Sequence, residues 1–222
     1  MSISIENFVK TIYLQEQRLG KDTRPGTLSK LLNITNAATT DMARSLAQKN
    51  LVNYTKYQKL SLTPEGKKLA LNILRKHRLW EAFLHQTLNL SLHEIHEEAE
   101  LLEHLTSDFL ADKIDSYLNY PASDPHGDPI PCSEGTVKPE MDAILLSDAE
   151  NSKEYTVVRL FSSNPDFFDF CASNKIGITS TVHIENTFDE MKMKEITIEG
   201  KKLLLNEEFT NKIYVKIKEE EK

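Results

Sequence analysis

The chain has 222 residues, 39% of them hydrophobic and 27% charged, with a formal net charge of −7. That is the make-up of an ordinary soluble globular protein, long enough for one large domain or two to three small ones. The longest apolar runs are only a few residues, so no segment is expected to span a membrane, and the first residues lack the basic and apolar regions of a secretory signal. Cys132 and Cys171 lie far apart without CxxC spacing, which excludes a disulfide scaffold or a zinc site and reads as a pair of cytoplasmic thiols.

The net charge hides an asymmetry. Residues 1–78 hold 14 Lys/Arg against 5 Asp/Glu, a net of +9, while residues 79–222 hold 13 against 29, a net of −16. A basic first third on an acidic body suggests a nucleic-acid-binding module joined to something else.

Ile5, Phe8, Val9, Ile12 and Tyr13 recur at helical spacing and predict a helix over residues 4–19. A loop over residues 20–26 contains Pro25, and Thr27 then caps a short helix over 28–32. After the tight connection Asn33-Ile34-Thr35, a helix over 36–49 turns Ala38, Met42, Leu46 and Ala43 inward. Residues 51–54 and 59–62 alternate apolar and polar, the pattern of a hairpin, and Thr63-Pro64 starts a long helix. Helix, short helix, turn, helix and hairpin is the winged helix-turn-helix pattern, whose second helix enters the major groove. Thr35, Asn36, Thr39, Thr40 and Arg44 are expected on its exposed side, with Lys56, Tyr57 and Lys59 in the wing against phosphates. Asp41, among them, would repel phosphate unless it points away or meets a cytosine amine.

Two more helices are predicted over residues 65–86 and 91–119, the second with Ile95, Ala99, Leu102, Leu105 and Phe109 as an apolar face. Apolar surface beyond what this pair can hide suggests a dimer. Residues 120–140 hold five prolines and read as a linker or irregular extended segment. Beyond them come short strands over 143–146, 155–161, 180–185, 194–198, 201–205 and 212–217, with one helix over 165–174, the pattern of a small β-barrel.

Chemistry concentrates in the two middle helices. With His96 taken as zero, helical geometry puts Glu100 near about 40°, Glu103 near about −20° and His104 near about 80°. His77 and Glu81 stand i, i+4 on the preceding helix. Such residues are ordinary on a solvated face, but imidazoles and carboxylates crowding one face also make a divalent-metal donor set. A metallohydrolase would use them for catalysis, yet the chain has no HExxH motif, no GxSxG elbow and no phosphate loop, so an enzyme is not expected. A winged-helix regulator sensing an organic ligand is the other alternative.

Arg75-Lys76-His77-Arg78-Leu79 with Glu81, then Ile95-His96-Glu97-Glu98-Ala99 through Glu103-His104, then Gly127-Asp128-Pro129-Ile130-Pro131, resemble the diphtheria toxin repressor and manganese transport regulator family. The run from Val157-Val158-Arg159-Leu160 through Ile213-Tyr214-Val215 is similar to the SH3-like, ferrous-transport-type domain of its longer members. The resemblance implies a mainly helical chain with a small β domain. Its parts would be a winged helix-turn-helix over 1–74, a helical dimerisation and metal-binding domain over 75–140, and an SH3-like barrel over 141–222. It also implies a cytoplasmic homodimeric repressor that binds double-stranded operator DNA and is activated by Mn2+ or Fe2+ at two sites per subunit. His77, Glu81 and His96 match the ancillary site. Glu100, Glu103 and His104 match the principal site, completed from the first helix by Asn7. Iron-type members carry Met and manganese-type members Asp at that position, so Asn7 is a departure. Iron-type members carry Cys where this chain has Glu100, and the harder carboxylate favours Mn2+, with Fe2+ the alternative. Lys10 falls where some manganese-type members have a further acidic ligand, so a two-ion cluster is not expected. Asn164 and Asp166 are candidates for a ligand donated by the barrel. Without metal, Glu100 and Glu103 are expected to repel each other.

Overall fold

Helix α1 (Ile3–Glu16) forms where Ile5, Phe8, Val9 and Ile12 make one stripe, and all four are buried. The computed structural model describes residues 2–17, 22–56, 58–137, 142–162 and 164–218. Helix α2 (Pro25–Leu31) starts earlier than expected, because Pro25 suits a first helical position. Thr27 therefore lies inside the helix, and its hydroxyl donates to Asp22 Oδ2 at 2.9 Å instead of capping.

Helix α3 (Asn36–Gln48) is capped by Thr35, whose hydroxyl accepts from the Ala38 amide at 3.1 Å. Its inner stripe is Thr39, Ala43 and Leu46, all fully buried, while Ala38 is exposed. The helix is thus rotated from the expected facing. Thr39 tolerates a core position because its Oγ1 donates to the Thr35 carbonyl at 3.0 Å, leaving no hydroxyl unsatisfied.

Strands β1 (Val52–Asn53) and β2 (Ser61–Leu62) pair antiparallel, with Val52 opposite Leu62. The long helix α4 (Pro64–Leu88) begins as expected at Thr63, whose hydroxyl accepts from the Gly66 amide at 3.0 Å and donates to the Asn50 carbonyl at 2.7 Å. A Cβ on Gly66 would sit 1.9 Å from the Leu51 carbonyl oxygen, so only glycine lets helix and strand approach this closely.

The single helix expected over 91–119 is two helices, α5 (Leu92–Leu102) and α6 (Asp108–Tyr117). Thr106 Oγ1 donates to the Leu102 carbonyl at 2.7 Å, satisfying the end of α5, and Ser107 accepts from the Leu110 amide at 3.2 Å to start α6. Glu103 and His104 consequently lie in the turn that ends α5, not on an unbroken helical stripe. Of the expected apolar face, Ile95 and Ala99 are buried, whereas Leu105 and Phe109 are exposed.

Two compact units result. The first comprises Met1–Trp80, Glu98–Tyr120 and Ile130–Val137. Phe8, Ile12, Leu28, Leu46 and Leu60 are the large buried side chains of its core. Within it, Arg75 pairs with Asp112 at 2.9 Å and Asp115 at 2.7 Å, and Lys76 with Asp108 at 2.9 Å, tying α6 to α4.

The second unit comprises Glu81–Glu97, Pro121–Pro129 and Lys138–Lys222. Its strands are β3 (Ile144–Leu145), β4 (Glu154–Leu160), β5 (Thr181–Phe188), β6 (Met193–Ile198), β7 (Lys201–Asn206) and β8 (Ile213–Ile217). They form an antiparallel sheet in the order β3-β8-β4-β5-β6-β7, consistent with an SH3-like domain. Register shifts at Val157/Arg159 and Ile184/Asn186 bend it. Helix α7 (Pro165–Ser173) and the short α8 (Glu207–Thr210) complete the unit around Tyr155, Val157, Leu160, Ile184, Ile196 and Val215. Residues 121–129 pack onto β4. The Leu160 amide donates to the His126 carbonyl at 2.8 Å, and a Cβ on Gly127, at φ +87, would lie 2.0 Å from the Val158 carbonyl oxygen. Among the described residues no helix is long and apolar enough to cross a membrane.

Candidate metal centre and nucleic-acid face

The first unit gathers one cluster. Glu100, Glu103 and His104 each offer a ligand atom within 4.8 Å of the others. Glu103 is only 1% exposed, and a buried carboxylate needs partners. Its Oε2 lies 2.7 Å from His77 Nδ1, and its Oε1 accepts from Lys10 Nζ at 2.6 Å. Glu100 Oε1 accepts from the same Nζ at 2.7 Å and lies 3.9 Å from His77 Nδ1. The two carboxylates are therefore not left to repel each other, as the sequence suggested. A lysine ammonium bridges them.

His104 Nδ1 is 2.6 Å from Glu6 Oε2, the geometry of an N–H donating to a carboxylate. That leaves Nε2 as the bare nitrogen. It is buried, 3.2 Å from Glu103 Oε1 and without a hydrogen bond. Asn7 Oδ1 is likewise buried and unpartnered. Asn7 follows Glu6 and precedes Lys10 by three residues on α1, so it shares the helix side from which both reach the cluster. Buried acceptors without partners are rare and ask for a reason. An imidazole nitrogen beside two carboxylates, with a buried amide oxygen on the helix that reaches them, is a donor set that suits a divalent cation taking mixed O and N ligands.

The second unit holds another group. Glu81, 2% exposed, has Oε1 3.1 Å from His96 Nδ1 and 3.5 Å from His126 Nε2. His126 Nδ1 is buried and unpartnered. Sequence reading passed over His126, because a lone histidine among prolines has no periodicity to mark it. The available signal was its place directly before Gly127 in the Pro-rich stretch. Asn164 is occupied as the cap of α7, its Oδ1 accepting from the Asp166 amide at 2.9 Å, and Asp166 is exposed in the first turn.

The expected nucleic-acid residues divide. Thr35, Asn36 and Arg44 are exposed on α3 and Thr40 is half-buried, while Thr39 points into the core and leaves the face it was expected on. Lys56 and Lys59 are exposed in the wing, and Tyr57 lies outside the described residues. Asn36, Thr40, Arg44 and Lys56 border one open hollow together with Arg24, which sequence reading did not single out. Asp41 turns to Arg44 at 3.2 Å, and Asp22 pairs with Arg24 at 2.8 Å. Exposed pairs of this kind are weak, so these cations can exchange onto phosphate.

A family model described as the iron dependent repressor metal binding and dimerisation domain matches residues 63–132. An uncharacterized HTH-type transcriptional regulator of Methanocaldococcus jannaschii is 36% identical over 118 residues, 53% of this chain and 94% of that protein. The diphtheria toxin repressor of Corynebacterium efficiens is 30% identical over 126 residues, 57% of this chain, and the match spans about half (54%) of that relative's length. Among solved structures, a manganese-dependent transcriptional repressor in complex with manganese superposes with a TM-score of 0.89 at 29% identity, over 96% of this chain and 99% of that one. ScaR with bound Zn2+ superposes with a TM-score of 0.80, also at 29% identity, over 96% of this chain and 99% of that one.

Proposed function

The chain belongs to the diphtheria toxin repressor and manganese transport regulator family of metal-dependent transcriptional repressors, and on that premise we propose that it is a cytoplasmic, homodimeric repressor of metal-homeostasis genes activated by Mn2+. Residues 1–74 would be the DNA-binding domain, 75–140 the dimerisation and metal-binding domain, and 141–222 the SH3-like domain. The observation that carries the reading is His104 Nε2, buried and without a hydrogen bond, on an imidazole within 4.8 Å of Glu100 and Glu103, together with the buried, unpartnered Asn7 Oδ1 on the helix that brings Glu6 and Lys10 to the same cluster.

The matched domain is named for iron and the matched structure for manganese, so the choice of ion is read from the residues. Two carboxylates, an amide oxygen and one imidazole, with no thiolate or thioether, are hard donors that suit Mn2+; Fe2+ is the alternative. Asn7, Glu100, Glu103 and His104 would hold one ion. Within the second unit, Glu81 and His96 would hold a second, with His126 as a further donor against Glu81. When bound, the ion supplies positive charge that links α1 to the end of α5. Asn7 then fastens the helix that carries Phe8 and Ile12 in the DNA-binding core, and α3 with its Asn36 and Arg44 is held in place for the major groove. A coupling of about 1–3 kcal/mol between metal and operator is ordinary for such a switch. Leu101, Leu105, Phe109 and Tyr117, exposed at 67%, 84%, 72% and 67%, supply the apolar surface for the second copy.

The test is operator binding by fluorescence anisotropy, with DNA from upstream of the protein's own gene. Chelator-treated protein is supplied with Mn2+, with Fe2+ under anaerobic conditions, or with neither. Tight binding only with metal is expected, Mn2+ being the more effective ion, and Glu103→Ala should lose the metal dependence while keeping weak nonspecific binding. Equal binding with and without metal would overturn the reading in favour of an organic-ligand regulator.

A further inference from the structure

Lys10 is a cation at the cluster that the proposed metal site would not use as a ligand. It is 6% exposed, and its Nζ sits 2.7 Å from Glu100 Oε1 and 2.6 Å from Glu103 Oε1. These are the carboxylates of the proposed principal site. We propose that Lys10 is a tethered counter-ion that occupies the ion's place between Glu100 and Glu103, so that metal binds by exchange with the ammonium and Lys10 sets the threshold and selectivity of the sensor. The inference rests on the metal reading above.

A buried carboxylate, Glu103, with the half-exposed Glu100 beside it needs a compensating cation in a folded core. Lys10 provides one within the chain, and so holds the cluster in order without metal. An ammonium and a divalent ion cannot both use the same pair of oxygens. The ammonium also leaves Asn7 Oδ1 and His104 Nε2 without a partner. It has only protons to offer, at the end of a flexible stem, and it reaches two of the four acceptors. An ion with several coordination positions satisfies all four, and that surplus is what drives the exchange.

Selectivity follows from the same comparison. An ion displaces Lys10 only if it gains from the amide and imidazole as well as from the carboxylates. Mg2+ sheds its water reluctantly and takes imidazole poorly, so it gains little there. Mn2+ gains from both. The four-carbon stem of lysine lets Nζ swing away while the α1 backbone stays in place.

Two measurements test this on the full chain. Free Mn2+ is counted by electron paramagnetic resonance during titration of the wild type and of Lys10→Gln. The variant is expected to bind Mn2+ at least about tenfold more tightly, an arbitrary threshold equivalent to about 1.4 kcal/mol. Equal or weaker binding overturns the proposal. In the wild type, acetylation of Lys10 by a small acyl reagent, read by mass spectrometry, is expected to be slow without metal and to rise on saturation with Mn2+. No change on saturation also overturns it, and this second measurement decides alone if Lys10→Gln does not fold. If neither protein binds Mn2+ or Fe2+, it is the metal reading that fails, a result distinct from either of these.

Discussion

The carboxylate of Glu6 meets Nδ1 of His104 at 2.6 Å across 98 residues of sequence. The contact fixes the imidazole with its proton on Nδ1 and its bare nitrogen, Nε2, turned toward Glu103. Outer partners of this kind orient a ligand and raise its basicity, and losing one commonly costs about 10–100-fold in metal affinity. Glu6→Ala should weaken Mn2+ binding by that order in calorimetric titration, with the circular dichroism spectrum unchanged. Unaltered affinity would mean that His104 is held by other contacts or is not a ligand.

The nucleic-acid face has its own test. Arg44→Ala and Lys56→Ala should each weaken operator binding and lower the slope of log affinity against log salt by about one. Thr39→Val, buried beneath that face, should leave both quantities as they are while lowering the melting temperature through loss of its bond to the Thr35 carbonyl. A drop in operator affinity for Thr39→Val equal to that of Arg44→Ala would put Thr39 back on the DNA side.

Gly127 combines φ +87 with a backbone approach that leaves no room for a Cβ beside the Val158 carbonyl. Gly127→Ala should destabilise the second unit by about 1–3 kcal/mol, read as a lower urea midpoint at unchanged slope. It should also disturb His126, whose carbonyl accepts from the Leu160 amide at 2.8 Å.

The two cysteines should differ in reactivity. Burial pushes the Cys171 thiol up to about 12, so at pH 8 it stays protonated and hidden. Cys132 is exposed, and hydrogen bonding to Thr136, first through the side chain and then through the backbone, holds its thiol below the ordinary range. The thiolate is the nucleophile, so iodoacetamide at pH 8 should label Cys132 alone until denaturant is added. Equal labelling rates in the folded chain would contradict the burial.

Much of the fold was legible because its signals are local. Hydrophobic period marked α1, Thr63-Pro64 marked where α4 begins, and alternating β-branched runs marked β4 to β8. Misreadings arose where a side chain served the backbone. Thr39 looked like a polar surface residue because sequence does not show that its hydroxyl is satisfied by Thr35. The helix expected over 91–119 looked continuous because Thr106 and Ser107, which end one helix and begin the next, sit within an unbroken apolar period. At the cluster, the ligand types and their spacing were readable, but their partners were not. Glu6, Lys10 and His126 act through contacts with residues far along the chain, and no local pattern records these. Lys10 was noticed only as a missing acid, whereas the structure makes it a cation in place.

Helix α1 joins the two ends of the device. Near its start it carries the buried Asn7 amide oxygen and, at the carboxylates, Lys10. Near its other end Glu16 Oε1 accepts from the Leu62 amide of β2 at 3.0 Å, fastening the helix to the wing. Lys10 and Glu16 are roughly 9 Å apart, and Asn7 and Glu16 roughly 14 Å, along a helix whose apolar side is sealed in the core. On the metal reading, an ion at Asn7 would therefore act on the wing through one and the same helix.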